Sequence, residues 1–299
     1  MKVRVGFGLG TSTTANEADR LAALVDELEA HRFDSLWFSE RLTATAPDPL
    51  VGMTFAVART RRLKVGTSVM VLPGRNPVVL AKSIASLDRL SGGRVLPAFG
   101  LGAPDPAEHR AFGVARGERA AWFDEALPLM RRLWTEDRVS HRGERFHLDD
   151  VTIRPKPVQR PLEVWGGGTG PRQLARVGRL CDGWLPSFCT PGQAEAGRSV
   201  VERVAAEHDR AIDPEHFGAL LPYRPDGSAV PDALAAVVQA RNPGADPDDV
   251  APQLHRVPEV LGRFVDVGCS KFVVVPIVEP DDWRAEIAAL ADLVKPLET

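Results

Sequence analysis

Cysteine is scarce. Cys181, Cys189 and Cys269 are the only three in 299 residues, an odd number with no C-x-x-C spacing. That argues against a disulfide framework and a cysteine zinc site, and leaves reduced thiols in a cytoplasm as the plain reading. The seven histidines show no H-E-x-x-H or similar ligand spacing, so no metal is expected. No charge of one sign dominates either. The chain carries 37 basic and 40 acidic residues, a formal net charge of −3, and no basic run interleaved with aromatics. Neither a nucleic acid nor an anionic membrane is indicated as a partner. No apolar run approaches the roughly 20 residues of a membrane helix. The opening MKVRVGFGLG has too short an apolar stretch for a signal peptide and reads as a first strand. A soluble cytoplasmic protein is the expectation.

A nucleotide fingerprint is also missing. Gly6, Gly8 and Gly10 make G-x-G-x-G, with Thr11 where the third glycine would be needed, and there is no G-x-x-x-x-G-K-[ST] loop. What is present is alternation. Short apolar runs (3–9, 35–38, 63–72, 94–99, 162–165, 183–186, 217–221, 271–275) are separated by segments of helical period, such as Leu21, Leu24, Val25 and Leu28. Pro49 suits the first turn of a helix over 49–59, and Gly92–Gly93 stop one over 77–90. Residues 139–153 alternate around Arg142–Gly143 and predict a hairpin outside the repeat. Residues 228–250 read as an insertion with one short helix. Parallel strands joined by helices follow, because only parallel pairing needs connections this long. Eight units in 299 residues, without a nucleotide fingerprint, favour a closed (β/α)8 TIM barrel over an open sheet. A single α/β domain over 1–299 is expected, variable at about 225–255.

Barrel chemistry sits past the C-terminal strand ends, and four such places stand out. The second strand ends in Glu40–Arg41, which suits a substrate or coenzyme ring, or a structural ion pair. The third contains Gly66, Thr67 and Ser68, small enough for a bulge or a flat ligand, or merely relief of crowding inside the barrel. The fourth ends in Gly100–Leu101–Gly102, permitting close ligand approach or a tight turn. The fifth runs into Gly166–Gly167–Gly168–Thr169–Gly170 before a helix, where bare N–H groups favour an anion such as phosphate. His109 reads as a solvated loop residue, and Asp88–Arg89 as a helix-end ion pair. Trp122, Trp134 and Trp165 are expected to pack helices against the barrel.

Taken in order, these stretches resemble the luciferase-like monooxygenase family, in its F420-dependent oxidoreductase branch. The resemblance is carried by residues 33–40 (FDSLWFSE), by 63–94 with its LDRLSGGR ending, and by RPKP at 154–157 leading through Gly166–Gly168 to Cys181–Asp182–Gly183–Trp184. It covers nearly the whole chain except about 225–255. It implies an oxidoreductase moving a hydride between the deazaflavin coenzyme F420 and a small organic substrate, with FMN-dependent oxygenation as the alternative and a non-catalytic coenzyme-binding barrel as a second. It places the ring over a bulge at Ser68–Val69, often a cis peptide, with Glu40 near the ring or its side chain and Gly100 and Gly102 at the site. The coenzyme phosphate maps to Gly166, Gly167, Gly168 and Thr169. A homodimer is expected. Sugar-phosphate dehydrogenases among the relatives carry a histidine where this chain has Arg41 and a glutamate where it has Ala103, so their acid–base chemistry is not expected. Arg41 remains as a candidate catalytic cation to stabilise a carbonyl or enolate oxygen.

Overall fold

The computed structural model describes residues 1–13, 15–241 and 243–299. Its strands close a parallel barrel in two overlapping sheets. One runs, side by side, Gly218–Tyr223, Lys271–Pro276, Arg4–Leu9, Ser35–Phe38, Lys64–Thr67 and Val95–Leu96; the other runs Gly183–Trp184, Trp165–Gly166, Ala98–Gly100 and Met70–Val71. Parallel bridges Trp184–Phe217 and Ser187–Leu220 join the two and complete the circle. The eight staves are therefore those the alternation predicts, in the order of a (β/α)8 barrel.

The third and fourth staves are each broken and shared between the sheets. The third breaks at Ser68–Val69, a cis peptide. The fourth breaks at Pro97, which has no N–H for the ladder. The Thr67 hydroxyl bridges that gap, donating to the Ala98 carbonyl at 2.6 Å and accepting the Ala98 N–H at 2.9 Å.

Inside the barrel Trp37, Ala98, Trp165, Leu185, Val273 and Val275 form a small core, while a larger one lies between staves and helices. Two inward glycines are there for space. A Cβ on Gly66 would lie 2.7 Å from the Trp37 ring, and one on Gly183 2.6 Å from that of Trp165. Relief of crowding is thus the role of Gly66. Trp165 fills the barrel and does not dock a helix, unlike Trp134, which donates to the Ala81 carbonyl of the neighbouring helix.

Two further expectations change. Asp88 makes no ion pair with Arg89; its buried carboxylate accepts the N–H groups of Val158 and Gln159 and the Gln159 amide. The insertion holds two helical segments, Asp232–Arg241 and Pro247–Val250, where one was expected. At the N-terminal end of the staves Arg94 donates to the carbonyls of Val57, Thr60, Leu63 and Ser91 and to the Thr60 hydroxyl. The LDRLSGGR segment is thus a staple across the barrel's underside. Among the described residues no helix is long and apolar enough to cross a membrane.

Candidate functional site

At the C-terminal ends of the staves a cavity of ≈ 870 Å³ opens. Glu40, Ser68, Val69, Gly100, Gly102, Gly166, Gly167, Gly168 and Thr169 all line it; Arg41 does not.

The bulge at Ser68–Val69 is held from the second stave. Ser68 N–H donates to the Phe38 carbonyl (2.9 Å) and Glu40 N–H to the Val69 carbonyl (3.3 Å). The Glu40 carboxylate accepts the Val71 N–H at 2.6 Å and a short hydrogen bond from Arg75. Its side chain is 2% exposed, and burial pushes its pKa up despite the opposing Arg75 charge and Val71 N–H. Glu40 therefore shapes the bulge, a more structural job than contact with a ring. Arg75, its partner, was not foreseen.

Val69 explains two of the glycines. A Cβ on Gly100 would lie 2.5 Å from Val69 Cγ2, and one on Gly167 3.1 Å from Val69 Cγ1. The valine stands between these strand ends; a Cβ at position 100 would collide with it, and one at 167 would crowd it. Gly102, at φ +82, lies against Arg119, whose Nη2 would be 2.6 Å from an added Cβ.

The glycine turn lines the cavity with backbone donors to spare. Gly167 N–H continues the ladder with Phe99, while outside the ladders and helices no hydrogen bond among the described residues takes the backbone N–H of Gly168 or Thr169. Trp184 Nε1 donates to the Gly168 carbonyl, and Gln173 accepts the Gly170 N–H, so the turn is fixed from outside while those two donors stay uncommitted. The Pro171–Leu180 helix begins immediately after, adding its dipole.

Arg119 is the group that sequence reasoning missed. It is 2% exposed, and no carboxylate among the described residues pairs with it. Nε donates to the Leu101 carbonyl at 2.5 Å, while the buried Nη2 has no partner. Burial lowers its pKa. A buried cation left this way is costly unless a ligand supplies negative charge. Arg116, Arg176 and Arg241 also line the cavity, against the carboxylates of Glu40 and Glu279.

Arg41 is elsewhere. Its guanidinium makes a 2.6 Å ion pair with Asp105, and its side chain is 42% exposed. Successive side chains on an extended segment point to opposite sides, so with Glu40 turned in, Arg41 turns out. The catalytic role expected of it has no geometric support. His109 moves the other way. It sits on the helix Pro106–Ala111, and its half-buried ring lines the cavity.

Known proteins bear on this site. Residues 2–246 match the family model for luciferase-like monooxygenases. An F420-dependent glucose-6-phosphate dehydrogenase from Kineococcus radiotolerans is 33% identical over 58% of this chain and 53% of its own length, so the match spans about half of that relative. The enzyme of the same name from Nakamurella multipartita is 29% identical over 75% of each chain. An F420-dependent secondary alcohol dehydrogenase, solved with an F420–acetone adduct, superposes with a TM-score of 0.81 at 20% identity, covering 100% of both chains. That last likeness is one of fold.

Proposed function

The chain belongs to the luciferase-like monooxygenase family, and from that premise we propose that it is an oxidoreductase using the deazaflavin coenzyme F420 on a small organic substrate. One observation carries the reading: a buried Arg119 whose Nη2 has no partner lines the same cavity as the uncommitted N–H groups of the glycine turn. An anionic coenzyme suits both. Its ring would lie on the Ser68–Val69 bulge and its phosphate on Gly166–Thr169, with Arg119 as a further partner for negative charge. When bound, F420 supplies a two-electron hydride carrier; the protein binds it, orients it and excludes water.

The test is a titration of purified protein with F420 and with FMN, read by absorbance and fluorescence. F420 is expected to bind more tightly. Tighter FMN binding with rapid oxygen consumption reverses the order in favour of an FMN monooxygenase. Failure of any acceptor to reoxidise bound reduced F420 marks a coenzyme-binding barrel without turnover.

A homodimer is part of the proposal. The helices Pro49–Arg59 and Pro77–Ser91 turn Val51, Val79 and Leu90 outward at 65%, 63% and 80% exposure, and Leu50, Thr54, Ser83 and Leu87 line a groove between them. A second copy covering this apolar face would remove it from water. Sedimentation of wild type and Val79→Glu tests this, with the variant expected to be monomeric. A cytoplasmic setting is also part of the proposal; the three cysteines are buried, and burial pushes their thiol pKa values up to about 12.

A further inference from the structure

We propose that His109 is the proton-transfer residue of this cavity, its Nδ1 taking the hydroxyl proton of an alcohol substrate as the carbon-bound hydrogen leaves as hydride. The inference rests on the hydride-transfer reading above and supplies the acid–base group that reading lacks. The balance is simple. The C–H electron pair leaves with its hydrogen to oxidised F420, the O–H pair becomes the second bond of the carbonyl, and the proton passes to the imidazole. In the reverse direction the imidazolium returns it to oxygen.

Elimination narrows the candidates. A group that moves the proton must be uncommitted and able to change charge near neutrality. Glu40 is occupied by Val71 N–H and Arg75. Glu279 is held by Thr13 and Arg20. The Cys181 thiol is buried, with its pKa pushed up to about 12. The lining arginines stay protonated. Among the described lining residues the one imidazole is that of His109, and imidazole is the side-chain type suited to the task.

Geometry fixes which nitrogen acts. His109 Nε2 lies 3.0 Å from the Ala103 carbonyl oxygen. That oxygen can only accept, so the proton sits on Nε2 and the lone pair on Nδ1. Ala103 follows Gly102, whose added Cβ would lie 3.2 Å from Val71. The ring is thereby fixed to the loop that follows the fourth stave and lines the same cavity as Ser68 and Val69.

The short helix beneath it is locked. Asp105 caps it through the Ala107 N–H at 2.8 Å and pairs with Arg41. Glu108 accepts from Leu42 N–H (3.1 Å), Thr43 N–H (2.8 Å) and the Thr43 hydroxyl (2.7 Å). Arg41 is thus a positioning residue. The charged groups of the surrounding elements are Arg41, Asp105, Glu108, Arg110, Arg116 and Arg119.

The test joins spectroscopy to kinetics. Nitrogen-15 spectra of wild type and His109→Gln, with and without F420, should show an Nε2-protonated ring whose Nδ1 resonance moves when coenzyme binds. With secondary alcohols from 2-propanol to cyclohexanol, His109→Gln should lower kcat about 100-fold. It should keep F420 affinity and KM within about threefold. An Nδ1-protonated ring, a resonance blind to coenzyme, an unchanged kcat, or F420 affinity falling in step with kcat each overturns the proposal. The tautomer decides even if no alcohol of the panel turns over. Failure of wild type to bind F420 is seen before any alcohol is added, and it brings down the hydride-transfer reading itself.

Discussion

The cavity has two walls of different construction. Around the second to fifth staves several polar groups are held by backbone or by a buried partner, Thr67 by Ala98, Glu40 by Val71 and Arg75, Glu108 by Thr43, while Arg119 Nη2 is left without one. Around the sixth to eighth staves the lining is mostly apolar, with Leu220, Pro222, Val275 and Ile277. There the insertion adds Arg241, whose guanidinium lies 5.3 Å from the Phe188 ring centre, and Phe188 itself sits at φ +53, a conformation uncommon for a bulky residue. Rigid donors in fixed places suit a ligand that never changes. An apolar wall finished by the insertion suits a ligand held mainly by apolar contact. On the function proposed above, this contrast assigns the coenzyme to the first wall and substrate selection to the second.

Substitutions can break the contrast. The largest effect is expected at Gly100, where a leucine side chain must displace Val69; Gly100→Leu should weaken F420 binding at least about 100-fold, roughly 2.7 kcal/mol, by fluorescence titration. Next comes Arg119→Gln. Coenzyme affinity should fall at least about tenfold, while the coenzyme-free protein melts no lower, since an unpaired buried charge has been removed. A lower Tm with unchanged affinity would make Arg119 a scaffold residue. On the second wall, Arg241→Ala should change substrate KM a few-fold and leave F420 affinity unchanged; the reverse pattern would erase the distinction between the walls. Acid gives a smaller signal. Burial raises the Glu108 carboxyl, but bonds from Thr43 and Leu42 outweigh it and hold it below the ordinary value. Its contribution is present above the usual carboxylate range and fades as pH falls through the lowered value. Glu108→Gln should therefore lower Tm at pH 7 and close the gap to wild type below about pH 4. Smallest is Arg41→Ala, an exposed pair worth at most about 1 kcal/mol, with F420 affinity unaltered.

The barrel was legible because its determinants are local. Apolar runs mark the staves, Pro49 opens a helix, Gly92 ends one, and a row of glycines announces the turn at 166–170. Each is a statement about neighbours in the chain. What escaped depends on partners far apart in sequence. Arg75 finds Glu40 across 35 residues, Asp88 finds Gln159 across 71, and Arg119 stands out only because its buried Nη2 meets no partner among the described residues. His109 was missed for another reason: Pro106–Ala111 is six residues long, too short to show a period, although Asp105–Pro106 is a proper helix start. Arg41 was overvalued because strand-end position was considered without the alternation that sends neighbours to opposite sides.

The Arg94 staple has a consequence for kinship. All of its acceptors are backbone carbonyls or a hydroxyl, and it lies at the opposite end of the staves from the cavity. Nothing about it depends on what the upper end binds. Descendants can therefore exchange substrates, and even coenzymes, while LDRLSGGR stays as it is. The two ends of the barrel are thereby separable: no residue of the staple lines the cavity.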